Sequence, residues 1–279
     1  MIMLPHAPHN LTTESIIEIA TRVRKSFLIE VRQMGIENDL EQDLVDLYIP
    51  LAATLKRIAQ GQKGPMVIGI NKTPSGVKST LCRLLQIVFE QGFEQRVARI
   101  SIDDIYLTHA ERKRLAKRIH PLLATRGVPG THDVDLGLQL LRSLRRLQND
   151  QSLSLPLFDK AVDDRLQQEG WRQVSGPLDL ILFDGWCVGA VPQSEEELIE
   201  PINNLEREED PDLSWRRYVN WQLQEGYLRL FAELDLLIML KVPGMEDVMN
   251  WRTIQEQKLA LATEQRDHKI MDTAALQRF

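Results

Sequence analysis

Residues 66–84 read MVIGINKTPSGVKSTLCRL, a continuous apolar run followed by a turn-rich segment that ends in Lys-Ser-Thr at 78–80 and then by an amphipathic helical pattern. This order is typical of a phosphate-binding P-loop, in which backbone N–H groups surround the phosphates, a lysine reaches the β and γ oxygens and a hydroxyl binds Mg²⁺. The usual pattern is G-x-x-x-x-G-K-[ST], whereas Lys72 and Val77 occupy its two glycine positions here. The segment predicts a nucleotide-binding loop of unusual composition, and an ordinary helix N-terminus is the alternative.

Short apolar runs alternate with helical patterns along the rest of the chain. The predicted strands are Met66–Ile70, Val97–Ile102, Leu178–Phe183 and Leu234–Val242. The predicted helices between and after them are Ser79–Gln91, Leu136–Gln148, Trp215–Ala232 and Glu246–Gln265. Because the strands are apolar on both faces, they indicate an α/β fold with a parallel sheet of the P-loop NTPase type, covered by helices on both faces.

Two further helical patterns precede the first strand, at Ile16–Met34 and Leu44–Ile58. We therefore expect residues 1–60 to form an N-terminal helical extension and residues 61–279 to form the nucleotide-binding domain. Between Ser152 and Val174 the sequence is polar and without clear periodicity, which favours an irregular lid or substrate loop.

Composition narrows the possible partners. The chain has 279 residues, 43% of them hydrophobic, and a net charge of -6, so a general basic surface for nucleic acid or anionic lipid is not expected. No apolar run approaches the roughly 18 residues that span a bilayer. Cys82 and Cys187 have no metal-ligand spacing around them. These features predict a reduced, cytoplasmic protein without a nucleic-acid or membrane partner, and they leave the oligomeric state open.

Carboxylates follow two of the predicted strands. Asp103 and Asp104 lie in SIDDIYLT at 101–108, and Asp184 ends the apolar run LDLILFD at 178–184. Ligands of open α/β sheets bind beyond the carboxyl ends of the strands, so the first pair is placed to hold or deprotonate a substrate hydroxyl. Asp184 has the position of the Walker-B carboxylate that holds Mg²⁺. A helix-capping role for the aspartate pair is the alternative.

Charged side chains are frequent in the middle of the chain. Arg126 and His132 lie in RIHPLLATRGVPGTHDVD at 118–135, and Lys160 and Arg165 lie in FDKAVDDR at 158–165. Such groups can bind an anionic substrate and the phosphoryl group in transfer. A solvated surface loop is the alternative for each of them.

Five motifs in order resemble the D-glycerate 3-kinase family of P-loop kinases. They are SIDDIYL at 101–107, HPLLATRGVPGTHD at 120–133, LFDGWCVGA at 182–190, NLEREED with WRRYVN at 204–220, and WRTIQEQKL at 251–259. The resemblance implies a kinase fold related to uridine kinases and phosphoribulokinases. It also implies transfer of phosphate from ATP to the 3-hydroxyl of D-glycerate, as in photorespiration or glycerate salvage.

The resemblance further implies roles for individual residues. Asp103 would accept the substrate proton, with Lys78, Lys160 and Arg165 as the catalytic cations. Mg²⁺ would be held by Ser79 and Asp184. The nucleotide would be bound by Gly69, Ser75, Gly76, Lys78, Ser79 and Thr80. The glycerate pocket would be lined by Asp104, Tyr106, Arg126, His132 and Asp133, with Arg126 on the substrate carboxylate.

Two departures from the family pattern leave alternatives open. Gly76 stands one place early, and a β-branched residue at position 77 in a glycine conformation would be strained by roughly 1–3 kcal/mol. The chain also stops at LQRF where the family continues, so a truncated carboxyl end is expected. The alternatives are a catalytically inactive relative, or a P-loop kinase for another hydroxylated metabolite such as a nucleoside or a pantothenate-like compound.

Overall fold

Four parallel strands form the centre of the structure, a computed structural model that describes residues 10–36, 38–71, 80–240 and 244. In chain order the strands are β1 (Met66–Asn71), β2 (Val97–Ser101), β3 (Ser152–Leu155), β4 (Phe158–Asp159), β5 (Asp164–Arg165), β6 (Arg172–Ser175), β7 (Leu180–Gly185) and β8 (Leu236–Met239). The central sheet has the order β2-β7-β1-β8, and all its pairings are parallel. The predicted fold class is confirmed.

The helices cover both faces of this sheet. They are α1 (Thr13–Gln33), α2 (Glu41–Asp43), α3 (Ile49–Ala59), α4 (Thr80–Ile87), α5 (His109–Arg118), α6 (Val134–Arg145), α7 (Glu195–Ile199), α8 (Asn204–Glu209), α9 (Ser214–Gln222) and α10 (Leu228–Phe231). π-helical segments extend three of the helical stretches, at Leu44–Tyr48, Val88–Gly92 and Leu223–Tyr227. Within the described residues, no helix combines the length and apolar character needed to cross a bilayer.

Alternate side chains of the inner strands enter two hydrophobic clusters. In β7, Leu180 and Leu182 pack on the side of α1, α3 and α4, whereas Ile181 and Phe183 pack on the side of α6 and the α9–α10 segment. This division follows from the two-residue repeat of a strand, because successive side chains point to opposite faces. A strand that is apolar at every position is therefore buried on both sides.

The N-terminal helices belong to the first of these clusters. In α1 the buried residues Ile19, Val23, Phe27 and Val31 recur every four positions and form one apolar stripe. They share a continuous core with β1, α3 and α4. The expected division near residue 60 falls in the turn between α3 and β1, and the helices before it pack directly against β1 and α4.

The polar middle of the chain is more regular than its sequence suggests. β3 pairs with β6, and β4 pairs with β5, both antiparallel, so the segment expected to be irregular contains two small ladders. Helix α5 was not predicted, although its capping box is visible in the sequence as Thr108 followed by Glu111. The predicted helix at 246–265 and residues 72–79 of the loop lie outside the described residues.

Gly69 lies inside β1, where the missing side chain serves packing. A Cβ at Gly69 would lie 2.6 Å from Leu234 Cδ1 and 3.2 Å from Leu237 Cδ1. We expect Gly69→Ala to lower the free energy of unfolding by about 1–3 kcal/mol through overpacking. Gly61→Ala is the control, since no atom lies within 4 Å of the added Cβ. Urea unfolding that gives both variants the same stability would contradict this assignment.

Candidate active site at the carboxyl edge of the sheet

The register of the parallel strands brings three polar segments together. Asp184 pairs with Ser101 of β2 on one side and with Ile70 of β1 on the other. The aspartate pair follows Ser101 after one residue, Ile102, and residues 72–79 of the loop come directly after β1 in the sequence. The base candidate, the metal candidate and the start of the nucleotide loop therefore share one edge of the sheet.

Asp103 is held in a 3₁₀ turn at this edge. Ser101 begins the turn, and its Oγ accepts a hydrogen bond from the Asp103 N–H at 3.3 Å. The Tyr106 hydroxyl donates to Asp103 Oδ1 at 3.2 Å, and Lys160 Nζ donates to Oδ2 at 2.8 Å. Both carboxylate oxygens are thus oriented, one by the turn's own tyrosine and one by a cation from the β4–β5 hairpin.

Asp104 has a different environment from Asp103. Its Oδ1 accepts a hydrogen bond from the Phe158 N–H at 3.4 Å. Burial, together with the nearby Asp103 charge, raises the pKa of Asp104, while the hydrogen bond from Phe158 works in the opposite direction. Asp104 therefore fastens β4 to the end of β2, and its assignment to the substrate pocket remains a prediction.

Oxygen atoms suited to Mg²⁺ lie at the end of β7 and at the start of α4. Asp184 is buried, and its backbone carbonyl accepts a hydrogen bond from Ser101 Oγ at 3.4 Å. Thr80 is buried at the first turn of α4, immediately after the loop. A carboxylate and hydroxyls are ligands that Mg²⁺ prefers. The donor set at this edge fits a magnesium-nucleotide complex.

Asp163 joins the β4–β5 hairpin to the rest of the site. It forms ion pairs with Arg126 and with the fully buried Arg112, and it contacts His109 Nδ1 at 3.2 Å. Burial alone would raise the pKa of Asp163, but hydrogen bonds from Arg112 and Arg126 outweigh burial and lower it. Arg126 is therefore already paired with a carboxylate of this chain, which its sequence context did not indicate.

Arg165 and Asp133 also meet across this surface. Arg165 Nη1 lies 3.2 Å from Asp133 Oδ2, and Asp133 Oδ1 accepts the Leu136 N–H as the N-cap of α6. Asp133 thus has a capping role and orients a cation from β5. The β4–β5 hairpin therefore places Lys160 beside the base candidate Asp103, and Arg165 beside Asp133 at the start of α6.

His132 is buried, and its Nδ1 contacts a tyrosine hydroxyl. The Gly130 N–H donates to the Tyr227 hydroxyl at 2.9 Å, and the same hydroxyl lies 2.5 Å from His132 Nδ1. We assign the O–H···Nδ1 direction to this contact, which puts the ring proton on Nε2. Burial lowers the pKa of His132 to about 3, which keeps the ring neutral.

This neutral ring lies against the group that orients Asp103. The rings of His132 and Tyr106 stack with centroids 4.3 Å apart, and the backbones of the two residues form an isolated antiparallel bridge. His132 Nε2 is buried without a hydrogen-bond partner in the described part of the chain. With the assigned tautomer, His132 carries a buried Nε2–H donor that no described residue accepts.

The structure brings together most of the described residues that the sequence indicated. One connected set contains Asp103, Tyr106, Lys160 and His132. Arg126 pairs with Asp163 in the β4–β5 hairpin, and Arg165 of the same hairpin pairs with Asp133. Gly69 is separate, within β1. Ser75, Gly76, Lys78 and Ser79 lie outside the described residues. Sequence reasoning missed the partners that complete the site: Arg112, Phe158, Asp163 and Tyr227.

Comparison of the chain with known proteins identifies its relatives. No protein-family model matches the chain. An uncharacterized kinase of Schizosaccharomyces pombe is 31% identical over 203 residues, which are 70% of this chain and 71% of that protein. The chloroplastic D-glycerate 3-kinase of Arabidopsis thaliana is 30% identical over 195 residues, 67% of this chain and 40% of that protein. A solved D-glycerate 3-kinase from Cryptococcus neoformans has a TM-score of 0.68 at 26% identity and 82% coverage of each chain.

The chain belongs to a family of kinases with the Schizosaccharomyces pombe protein, and its sequence and fold are similar to those of D-glycerate 3-kinases. Phosphotransfer to a small molecule is common to the named activities of its relatives, but their substrates differ. The pantothenate kinase of Streptococcus gordonii is 26% identical over 203 residues, 67% of this chain and 61% of that protein. Family membership therefore establishes a kinase, and the substrate has to be argued from the site.

The tautomer of His132 can be tested with Tyr227→Phe. We expect the ¹⁵N spectrum of the natural chain to show a single form of His132 protonated on Nε2, and the variant to show a mixture of both tautomers because Nδ1 has lost its donor. The buried Gly130 N–H would lose its acceptor, at a cost of about 1–3 kcal/mol in the free energy of unfolding.

Tyr218→Phe is the matched control for this variant. The Tyr218 ring packs beside Gly130, but within the described residues its hydroxyl forms no hydrogen bond. We expect the His132 signals to be unchanged in this control. Protonation of Nδ1 in the natural chain would show that the hydrogen-bond directions are reversed.

Proposed function

We propose that the protein transfers the γ-phosphate of ATP to the 3-hydroxyl of D-glycerate, giving 3-phosphoglycerate. The observation that carries this proposal is the common edge of β1, β2 and β7, which brings the start of the loop, Asp103 and Asp184 together. The β4–β5 hairpin adds Lys160 to the same edge, 2.8 Å from Asp103. A base candidate, a cation and a metal candidate at one edge are the parts that phosphoryl transfer to an alcohol requires.

Asp103 is the proposed acceptor of the substrate proton. It is oriented through both oxygens and is about one-fifth exposed, whereas Asp104 is more deeply desolvated and holds β4. Phosphoryl transfer needs mainly positioning and charge stabilisation, so a carboxylate that orients the attacking hydroxyl meets the main requirement. Lys160, beside this carboxylate, is placed to neutralise charge on the phosphoryl oxygens.

Arg126 is the proposed ligand of the substrate carboxylate. A guanidinium has five N–H donors, and within the described residues only Nη1 of Arg126 forms a hydrogen bond, to Asp163. The remaining donors leave room for bidentate binding of a small carboxylate. Arg165 and the Nε2–H of His132 supply further donors on the same side of the site.

ATP and Mg²⁺ are the proposed cofactors. Lys78, Ser75, Gly76, Ser79 and Thr80 would hold the nucleotide phosphates, with Ser79 and Asp184 on the metal. Bound Mg²⁺ supplies neutralisation of the phosphate oxygens in the reaction. Lys72 and Val77 at the glycine positions give the alternative of an inactive relative, and the pantothenate kinase similarity supports another hydroxylated substrate as the second alternative.

A coupled assay of ADP release tests the proposal with Mg-ATP and D-glycerate, pantothenate or uridine. We expect turnover with D-glycerate and none with glycerol, because glycerol lacks the carboxylate. Arg126→Ala should lose most of this discrimination through a raised KM for glycerate, whereas Arg114→Ala, an exposed arginine on α5, should retain it. Equal rates with glycerol and glycerate would refute the proposed carboxylate-binding pocket. Turnover only with pantothenate or uridine would refute D-glycerate as the substrate.

Asp103→Asn tests the proposed base. We expect kcat to fall by at least about 10²-fold, because the amide cannot accept the proton, with nucleotide affinity nearly unchanged. Asp135→Asn removes an exposed carboxylate in the first turn of α6 and should leave kcat unaltered. A kcat loss in Asp104→Asn without one in Asp103→Asn would exchange the roles of the two aspartates.

A further inference from the structure

A cleft of about 530 Å³ opens beside the outer edge of β2, between the α4 helix region and β6. None of the candidate active-site residues lines it. Its lining residues are Gln86, Glu90, Glu94, Gln95, Arg96, Val97, Arg99, Arg172, Gln173, Val174, Ser175 and Leu178. A volume of this size falls within the range of small-molecule sites.

Two arginines occupy the inner part of this cleft without a carboxylate on their guanidinium groups. Arg99 projects from β2, and its side chain forms no hydrogen bond or ion pair within the described residues. Arg172, at the start of β6, donates through Nη2 to the backbone carbonyl of Arg99. Its Nε is buried and lacks a partner in the described part of the chain.

The electrostatic environment of the pair favours an added anion. Burial, followed by the neighbouring charge of Arg172, lowers the pKa of Arg99, yet a guanidinium stays protonated at neutral pH. The negative charge of Asp104 raises the pKa of both arginines and so partly offsets the effect of burial. One negative charge beside two partly buried cations leaves an excess of positive charge within the cleft.

The other charged residues of the cleft lie at its rim and have partners. Arg96 forms a two-pronged pair with Asp179, at 3.1 and 3.0 Å. Glu90 accepts a hydrogen bond from Gln86, and Glu94 lies 3.8 Å from Arg22 with its side chain 86% exposed. Water screens these exposed carboxylates, so they oppose an inner anion only weakly.

We infer that the inner cleft, at Arg99 and Arg172, is a binding site for a phosphate group, either of a small phosphate monoester or as inorganic phosphate. Two guanidinium groups offer the paired N–H donors that match phosphate oxygens, and a bound phosphate would give the orphaned Arg172 Nε an acceptor. The inference does not depend on the proposed function, because it concerns residues outside the candidate active site.

Calorimetric titration of the full chain with inorganic phosphate, and separately with glycerol 2-phosphate, tests this site. We expect Arg99→Gln and Arg172→Gln each to weaken binding by about tenfold or more, as expected for loss of a charged hydrogen-bond donor. Arg96→Gln is the matched control, since this arginine lines the same cleft but is already paired, and it should bind nearly as the natural chain does. Lys78→Ala should also retain binding, because it removes the rival phosphate site in the loop.

The two probes identify the source of the phosphate. Tighter binding of glycerol 2-phosphate supports a monoester site, and equal binding supports recognition of phosphate alone. Arg99→Lys and Arg172→Lys keep the charge but lose the planar donor pair, so they should also weaken binding and provide a second test if the glutamine variants unfold. Unchanged affinity in the Arg99 and Arg172 variants, or loss of binding in Lys78→Ala, would overturn the inference.

Discussion

The burial of β7 on both faces and both edges is the constraint on which the rest of the structure depends. β1 and β2 hydrogen-bond to its two sides, and the two hydrophobic clusters cover its two faces. Such a strand tolerates a charged side chain only where it leaves the core, and Asp184 stands at that point. Gly185 follows, and a Cβ there would collide with Ile102, so the turn that carries the aspartate pair packs directly against the end of β7.

The part of the candidate site around the β4–β5 hairpin is built by side-chain contacts rather than by the sheet. Phe158 packs edge-on against Tyr106 and lies under the guanidinium groups of Arg112 and Arg126, 5.9 and 5.6 Å from the ring centroid. Arg112 is fully buried and donates to three backbone carbonyls, including that of Asp163. These contacts explain how a segment with mostly polar residues and two-residue strands has a defined conformation.

The sequence predicted those elements of the fold and site that depend on short, continuous stretches of residues. Continuous apolar runs gave the four central strands, and their parallel order gave the common edge with Asp103 and Asp184. The β4–β5 ladder was missed because two-residue strands show no periodicity. The pairing of Arg126 with Asp163 spans 37 residues and that of His132 with Tyr227 spans 95, so neither leaves a local pattern. Such contacts follow from the fold, and sequence spacing alone could not reveal them.

The hairpin between β4 and β5 combines a firm attachment with an exchangeable contact. Arg112 is buried against Asp163, and removing one member of a buried pair costs several kcal/mol, so this side of the turn is fixed. Lys160, on the other side, is more than half exposed, and an exposed ion pair contributes only about 0–1 kcal/mol. Its contact with Asp103 can therefore be exchanged for substrate or phosphate oxygens at little cost. In the proposed reaction, the firmly attached hairpin would orient the Asp103 carboxylate before substrate binds, and its weakly held lysine would free that carboxylate for the hydroxyl.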